Sequence, residues 1–178
     1  MEVSDTSTDG LTLTIQRSVW NGQVQTPKTV NAFREVDLYP SVSALLKSYV
    51  GERTSGLLFS TAAGKPISQT NILKRSLHPV LKAIGRDKAG FHSFRRFRTT
   101  WLRKKRAPED LIRFWLGHSN KTVTDGYSKL KEDVAFRKDE VGKAGLGFEV
   151  PSENFAEKPN VARTARNFTS EETLSVAA

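Results

Sequence analysis

The chain has 178 residues, with 28 Lys and Arg against 19 Asp and Glu, giving a formal charge of +9 and a sequence pI near 9.9. At 37% hydrophobic residues it can bury the core of one ordinary soluble domain. The absence of cysteine excludes a disulfide framework, a thiol nucleophile and a thiolate-bound metal, three His leave little to ligate one, and no apolar run approaches the roughly 20 residues of a membrane helix.

Met1-Glu-Val-Ser-Asp lacks the basic start and apolar stretch of a signal peptide, so a cytoplasmic chain is expected. Leu11-Thr-Leu-Thr-Ile15 alternates with period two ahead of Asn21-Gly22, a strong hairpin signal, and the returning arm runs from about Gln23 to Thr26. Phe33-Arg-Glu-Val-Asp-Leu38 reads as a third strand after the Pro27–Asn31 turn, predicting a small three-stranded antiparallel sheet. Beyond Pro40, Val42, Leu45, Leu46, Tyr49 and Val50 fall at helical spacing, with Ser41 as the predicted cap and Gly51 as the stop. Leu57-Leu58-Phe59 is a short extended piece.

From Ser68, the residues Ile72, Leu73, Leu77, Val80, Leu81 and Ile84 share a helical face, and Pro79 should kink that helix or split it. A third helix from about Ser93 to Lys105 presents Phe94, Phe97, Trp101 and Leu102 as its core stripe. Pro108-Glu109-Asp110 opens a fourth, carrying Leu111, Ile112 and Trp115 to Gly117. Ser128 to about Lys143 is helix-friendly, with Leu130, Val134 and Val141 as anchors. The expected organisation is an α+β, mainly helical domain over residues 1–145 followed by a polar tail over 146–178.

The charge is concentrated. Between Lys74 and Arg106 lie twelve basic residues and one acid, Asp87, so this stretch holds +11 and the remainder nets −2. A solvated basic face is one reading; a phosphate-backbone footprint is the other, because such density repels itself unless an anion relieves it. Within it, His92 and Arg95 are three apart and would share a helix face. Leu116-Gly117-His118-Ser119 sets a second His just past a glycine helix stop, and Tyr127 follows nine residues later.

Taken singly, each is a common packing or loop residue. Together, His92-Xaa-Xaa-Arg95, Leu-Gly-His118 and Tyr127, preceded by Gln25-Thr-Pro-Lys28-Thr and the Arg-Xaa-Val-Xaa-Leu strand at 34–38, resemble the catalytic region of the tyrosine recombinases, the phage integrase family. The resemblance spans roughly residues 11 to 140. It implies a recombinase catalytic-domain fold and metal-free phosphoryl transfer with no cofactor. Tyr127 would attack the scissile phosphate and form a 3′-phosphotyrosyl link, and Arg95 would stabilise charge on the non-bridging oxygens. Lys28 would protonate the leaving 5′ oxygen, His118 would donate to the phosphate, and His92 would serve the tyrosine as acid/base or organiser. Lys74, Arg75, Arg96, Arg98, Arg103, Lys104, Lys105 and Arg106 would hold the DNA backbone.

The implied partner is double-stranded DNA, bound by a homo-oligomer, commonly a tetramer in this family, with the protein associated with the nucleoid when bound. The family's further arginine, upstream of the hairpin in a Thr-Gly-Xaa-Arg-like segment, has no match before Leu11, and Arg17 inside the predicted strand is not a substitute. The chain is therefore expected to be N-terminally truncated. Two readings follow: a recombinase that cuts and rejoins DNA, and an inert fragment that only occupies DNA. A third, an RNA- or chromosome-associated structural protein, has no stacking platform beyond Phe94, Phe97 and Trp101, which read as core.

Overall fold

The computed structural model describes residues 1–20, 22–26, 33–118 and 129–150. A 3-10 turn at Val3–Asp5 leads into β1 (Thr12–Ile15), β2 (Ser18–Trp20), β3 (Gln23–Gln25) and β4 (Arg34–Asp37). The helical part comprises α1 (Pro40–Val50), α2 (Gln69–Ile72), a π-helical turn (Leu73–Leu77), α3 (His78–Ala83), α4 (His92–Lys104), α5 (Glu109–Leu116) and α6 (Val134–Ala144). The architecture is α+β and mainly helical, with its strands near the N-terminus.

Among the described residues the strands form two separate antiparallel ladders, β1 with β4 and β2 with β3, in place of the single three-stranded sheet expected. The arm that pairs with Gln23–Gln25 is Ser18–Trp20, not Leu11–Ile15. Gln16 and Arg17 separate β1 from β2, and their side chains both reach Asp5 Oδ1, at 2.6 and 2.8 Å. Burial opposes the charge on Asp5, but the bonds from Gln16, the Glu2 N–H and Arg17 together hold its carboxyl below the usual carboxylate range. Released from the hairpin, β1 pairs with β4 so that Thr12 stands opposite Asp37 and Ile15 opposite Arg34.

Pro40, not Ser41, sets the start of α1. Its fixed φ suits the first helical position, where its missing N–H is not needed, and Tyr39 becomes the cap. Leu58 is fully buried, and its N–H meets the Met1 carbonyl at 3.0 Å; of the extended piece expected at Leu57–Phe59 only Leu57 pairs, in a single bridge to Glu2, and Leu58 and Phe59 lie in bends. Pro79 has the predicted disruptive effect. It cannot donate to the carbonyl four residues back, and the helix ahead of it opens into the π turn. One extra residue in a turn rotates everything beyond it by about 100°, which is why Val80 and Ile84, expected on the apolar face, are 57% and 63% exposed.

The core gathers Leu102, Leu111, Ile112, Trp115, Val141 and Ala144 from α4, α5 and α6. Of the stripe expected on α4 only Leu102 is buried; Phe94 and Phe97 are exposed, and Phe97 stacks on Trp101 with centroids 6.4 Å apart. Of the anchors expected after Ser128, Val141 is buried, Leu130 packs at the edge of the core and Val134 is exposed. Val134 begins the helix because the Asp133 carboxylate caps it, accepting from the Phe136 N–H at 3.1 Å.

The largest fully buried side chain is a charged one, Arg137. Its Nε donates to Asp37 Oδ2 at 2.8 Å, its Nη2 to Glu35 Oε2 at 2.5 Å, and its Nη1 to the carbonyls of Leu130 and Lys131, both at 2.8 Å. The guanidinium lies 4.9 Å over the Phe114 ring. Asp37 also accepts from Trp115 Nε1 at 2.8 Å and from Thr12 Oγ1 at 2.9 Å, so one carboxylate joins β1, β4, α5 and α6.

The chain leaving α6 is held against α4. Arg98 donates to the Gly145 carbonyl at 2.5 Å, Trp101 Nε1 donates to that of Ala144 at 2.8 Å, and Gly147, at φ +87°, lies on the Trp101 ring.

Removing one partner of a buried ion pair leaves the other uncompensated. Arg137→Met should therefore lower unfolding free energy in denaturant by about 3–5 kcal/mol, and a loss below ~1 kcal/mol would contradict the role given to this pair. A second comparison separates two glycines. A Cβ at Gly147 would meet the Trp101 ring at 2.6 Å, so Gly147→Ala should destabilise. Gly142, inside α6 with open space around it, should gain about 0.5–1 kcal/mol on Gly142→Ala. Thermal unfolding of the two variants checks the opposite signs.

Candidate active site and nucleic-acid interface

The C-terminal end of α5 organises the site. Gly117 takes the left-handed conformation at φ +67°, which lets its own N–H bond the Phe114 carbonyl at 3.1 Å and the His118 N–H bond that of Arg113 at 3.0 Å. A helix end leaves four carbonyls without partners in the helix. Two are satisfied by this turn, and two arginines take the others. Arg34 Nε donates to the Trp115 carbonyl at 3.1 Å, and Arg95 Nη2 to that of Leu116 at 2.6 Å.

Arg95 comes from α4, one helical turn after His92, which is the first residue of that helix and exposed. The same Arg95 Nη2 lies 2.9 Å from His118 Nε2. The half-buried Arg95 and the exposed His118, 23 residues apart in sequence, thus meet at the mouth of the turn. The helix dipole places partial negative charge there, which favours the two guanidiniums. Lys28 and Tyr127 lie outside the described residues.

Arg34 belongs to the strand motif at 34–38, where its alternation with Glu35 and Asp37 sends it to the face of β4 opposite those acids. Burial and then the charge of Arg95 both lower its pKa.

The other basic candidates divide by what they touch. Lys74 and Arg75 are exposed on the π turn, and Arg96 is exposed on α4. Arg98 is half-buried and donates to Gly145, with burial lowering its pKa. Arg103 forks onto Glu109 at 2.8 and 3.2 Å, which raises its pKa. Lys104 and Lys105 extend over the Trp101 ring, with Nζ 5.8 and 5.0 Å from its centroid, and Arg106 is exposed at φ +58°. The result is a cationic rim along α4 and the turn after it, adjoining the Arg95 and His118 pair.

Residues 1–133 match the phage integrase family, a stretch that contains Lys28, His92, Arg95, His118 and Tyr127. The chain belongs to that family. A similar curated protein is the tyrosine recombinase XerC-like protein of Caldanaerobacter subterraneus subsp. tengcongensis; the two are 29% identical over 115 residues, covering 56% of this chain and 29% of the relative. The match thus spans less than a third of that recombinase's length. No solved structure matches. Among the described residues no helix is long and apolar enough to cross a membrane.

Arginine can only donate, so its contact fixes His118 Nε2 as the acceptor and the proton at Nδ1. Long-range 1H–15N NMR of the imidazole, at a pH where the ring is neutral, should show the Nδ1–H tautomer in the unliganded protein. A dominant Nε2–H form would contradict the arrangement.

Proposed function

We propose that this chain carries catalytic machinery of a tyrosine recombinase that performs site-specific recombination by cutting and rejoining double-stranded DNA. The observation that supports it best is the meeting of Arg95 and His118 at the α5 terminus, inside the stretch that matches the family. The Tyr127 phenolic oxygen attacks the scissile phosphorus, the bond to the 5′ oxygen breaks, and a 3′-phosphotyrosyl ester forms. Its energy is retained for the reverse step, in which a 5′ hydroxyl attacks and the tyrosine leaves.

His92 accepts the proton of the tyrosine and Lys28 delivers one to the departing 5′ oxygen. Arg95 neutralises charge growing on the non-bridging oxygens. In the free protein His118 accepts from Arg95. A phosphate entering between them takes the Arg95 donor for itself and receives a hydrogen bond from His118, whose ring then carries its proton on Nε2. Lys74, Arg75, Arg96, Lys104, Lys105 and Arg106 hold the flanking backbone, and a homotetramer on DNA brings four such centres together. Phosphate contacts position the duplex and do not read its sequence.

The test is covalent trapping on a pool of nicked duplexes randomised around the nick. The wild-type chain should give a denaturant-resistant protein–DNA band, and Tyr127→Phe should abolish it while leaving binding intact. An adduct that survives Tyr127→Phe would refute the assignment. Binding without any wild-type adduct would support the second reading, a chain that occupies DNA without cutting it.

Affinity should also fall steeply with salt. Lys105→Gln should shallow the slope of log K against log salt by about 1. Arg103→Gln should change it less, because that guanidinium is already neutralised by Glu109. Equal effects would mean that Arg103 leaves Glu109 for the DNA.

A further inference from the structure

We propose that Arg137 is a positioning residue for Tyr127, an inference that rests on the reading of that tyrosine as the nucleophile. Tether length is the first argument. Tyr127 is nine residues beyond His118 but only three before Leu130. Three residues of chain span at most about 10 Å and nine about 30 Å. The anchor after the tyrosine therefore limits its reach far more tightly than the one before it.

The bonding of Arg137 is the second argument, because it makes that anchor. Its Nη1 donates to the carbonyls of Leu130 and Lys131, both at 2.8 Å, and its side chain is fully buried. Around these bonds the Glu132 and Asp133 N–H groups return to the Lys129 carbonyl at 2.8 and 3.1 Å, and Leu130 packs against the core. A point charge could balance Asp37 and Glu35. Only a planar fork meets those acids through Nε and Nη2 while giving Nη1 to the two carbonyls.

A common frame is the third. Asp37 Oδ2, which accepts from Arg137 Nε, also accepts from the Trp115 indole at 2.8 Å. The residue after Trp115 is Leu116, whose carbonyl holds Arg95 Nη2 at 2.6 Å, and Arg95 in turn meets His118. One carboxylate thus refers the chain that follows Tyr127 to the helix end that carries Arg95 and His118. Attack on phosphorus is sensitive to such placement, since a displacement of about 1 Å can cost on the order of 10²-fold in rate.

The experiment measures single-turnover adduct formation at saturating nicked duplex, together with DNA affinity and folded fraction, for wild type, Arg137→Lys and Val141→Ala. Arg137→Lys keeps a cation against Asp37 and Glu35 but gives up the fork. Val141→Ala loosens α6 in the core and leaves the fork in place. Per folded molecule, Arg137→Lys should form adduct about tenfold more slowly or worse with DNA affinity within about twofold of wild type, and Val141→Ala should react at the wild-type rate. A wild-type rate in Arg137→Lys, or an equal loss in Val141→Ala, would overturn the role, because either leaves Arg137 a purely structural contribution.

Inserting one glycine between Ser128 and Lys129 lengthens the tether without touching the buried pair, and should slow the reaction as well. Should Arg137→Lys not fold, this insertion decides alone, and an unchanged rate overturns the inference. If the wild type gives no adduct, or one that survives Tyr127→Phe, the reading of Tyr127 itself fails and this inference falls with it.

Discussion

A single buried carboxylate, Asp37, and the guanidinium it faces, Arg137, determine where the rest of this domain can be. Arg137 uses its donors on Asp37, Glu35 and two backbone carbonyls, so a charge without water is fully hydrogen-bonded. Two carboxylates against one cation would leave an excess of negative charge, and the Trp115 indole and Thr12 hydroxyl on Asp37 offset it. Trp115 is pinned from both ends. Its indole binds Asp37 and its carbonyl receives Arg34, so β4 and the end of α5 are fixed to each other by contacts that need no help from loops.

That arrangement explains why the candidate site is built on a helix end. The turn at Gly117 uses two of the four free carbonyls and leaves two facing outward, and these orient Arg34 and Arg95. Side chains held this way have their orientation set by the fold itself. The Arg95 and His118 side chains meet each other at this end, so each has a polar partner there.

Much of this was legible in the chain. The Gly117 stop, the start near Pro108 and the extents of α4 and α5 follow from local chemistry, and local chemistry is what a sequence displays. Long-range pairings are another matter. Arg137 carries no mark that distinguishes it from the exposed cations around it, because its burial depends on acids a hundred residues earlier. The strand pairing failed to follow from the alternation of Leu11–Ile15, since Gln16 and Arg17, bound to Asp5, separate β1 from β2. Pro79 announced a break but not its form. The π turn shifts the face by one residue, and a straight helical count beyond it points Val80 and Ile84 the wrong way. Phe94 and Phe97 fit a core stripe by spacing alone, yet Phe97 finds its partners in Trp101 and Phe148 on the surface.

The bond between Asp37 and Arg137 spans 100 residues of chain. Closing so large a loop has an entropic cost that rises only logarithmically with length, but it must be met before the contact returns anything. Formation of α4 and α5 in between shortens the path, so the closure is best made after those helices exist. Once made, it ties β1 and β4 to α6 in one cooperative unit. Fraying that starts at either end has to open the same buried pair, and the two ends of the domain share a single free energy of unfolding.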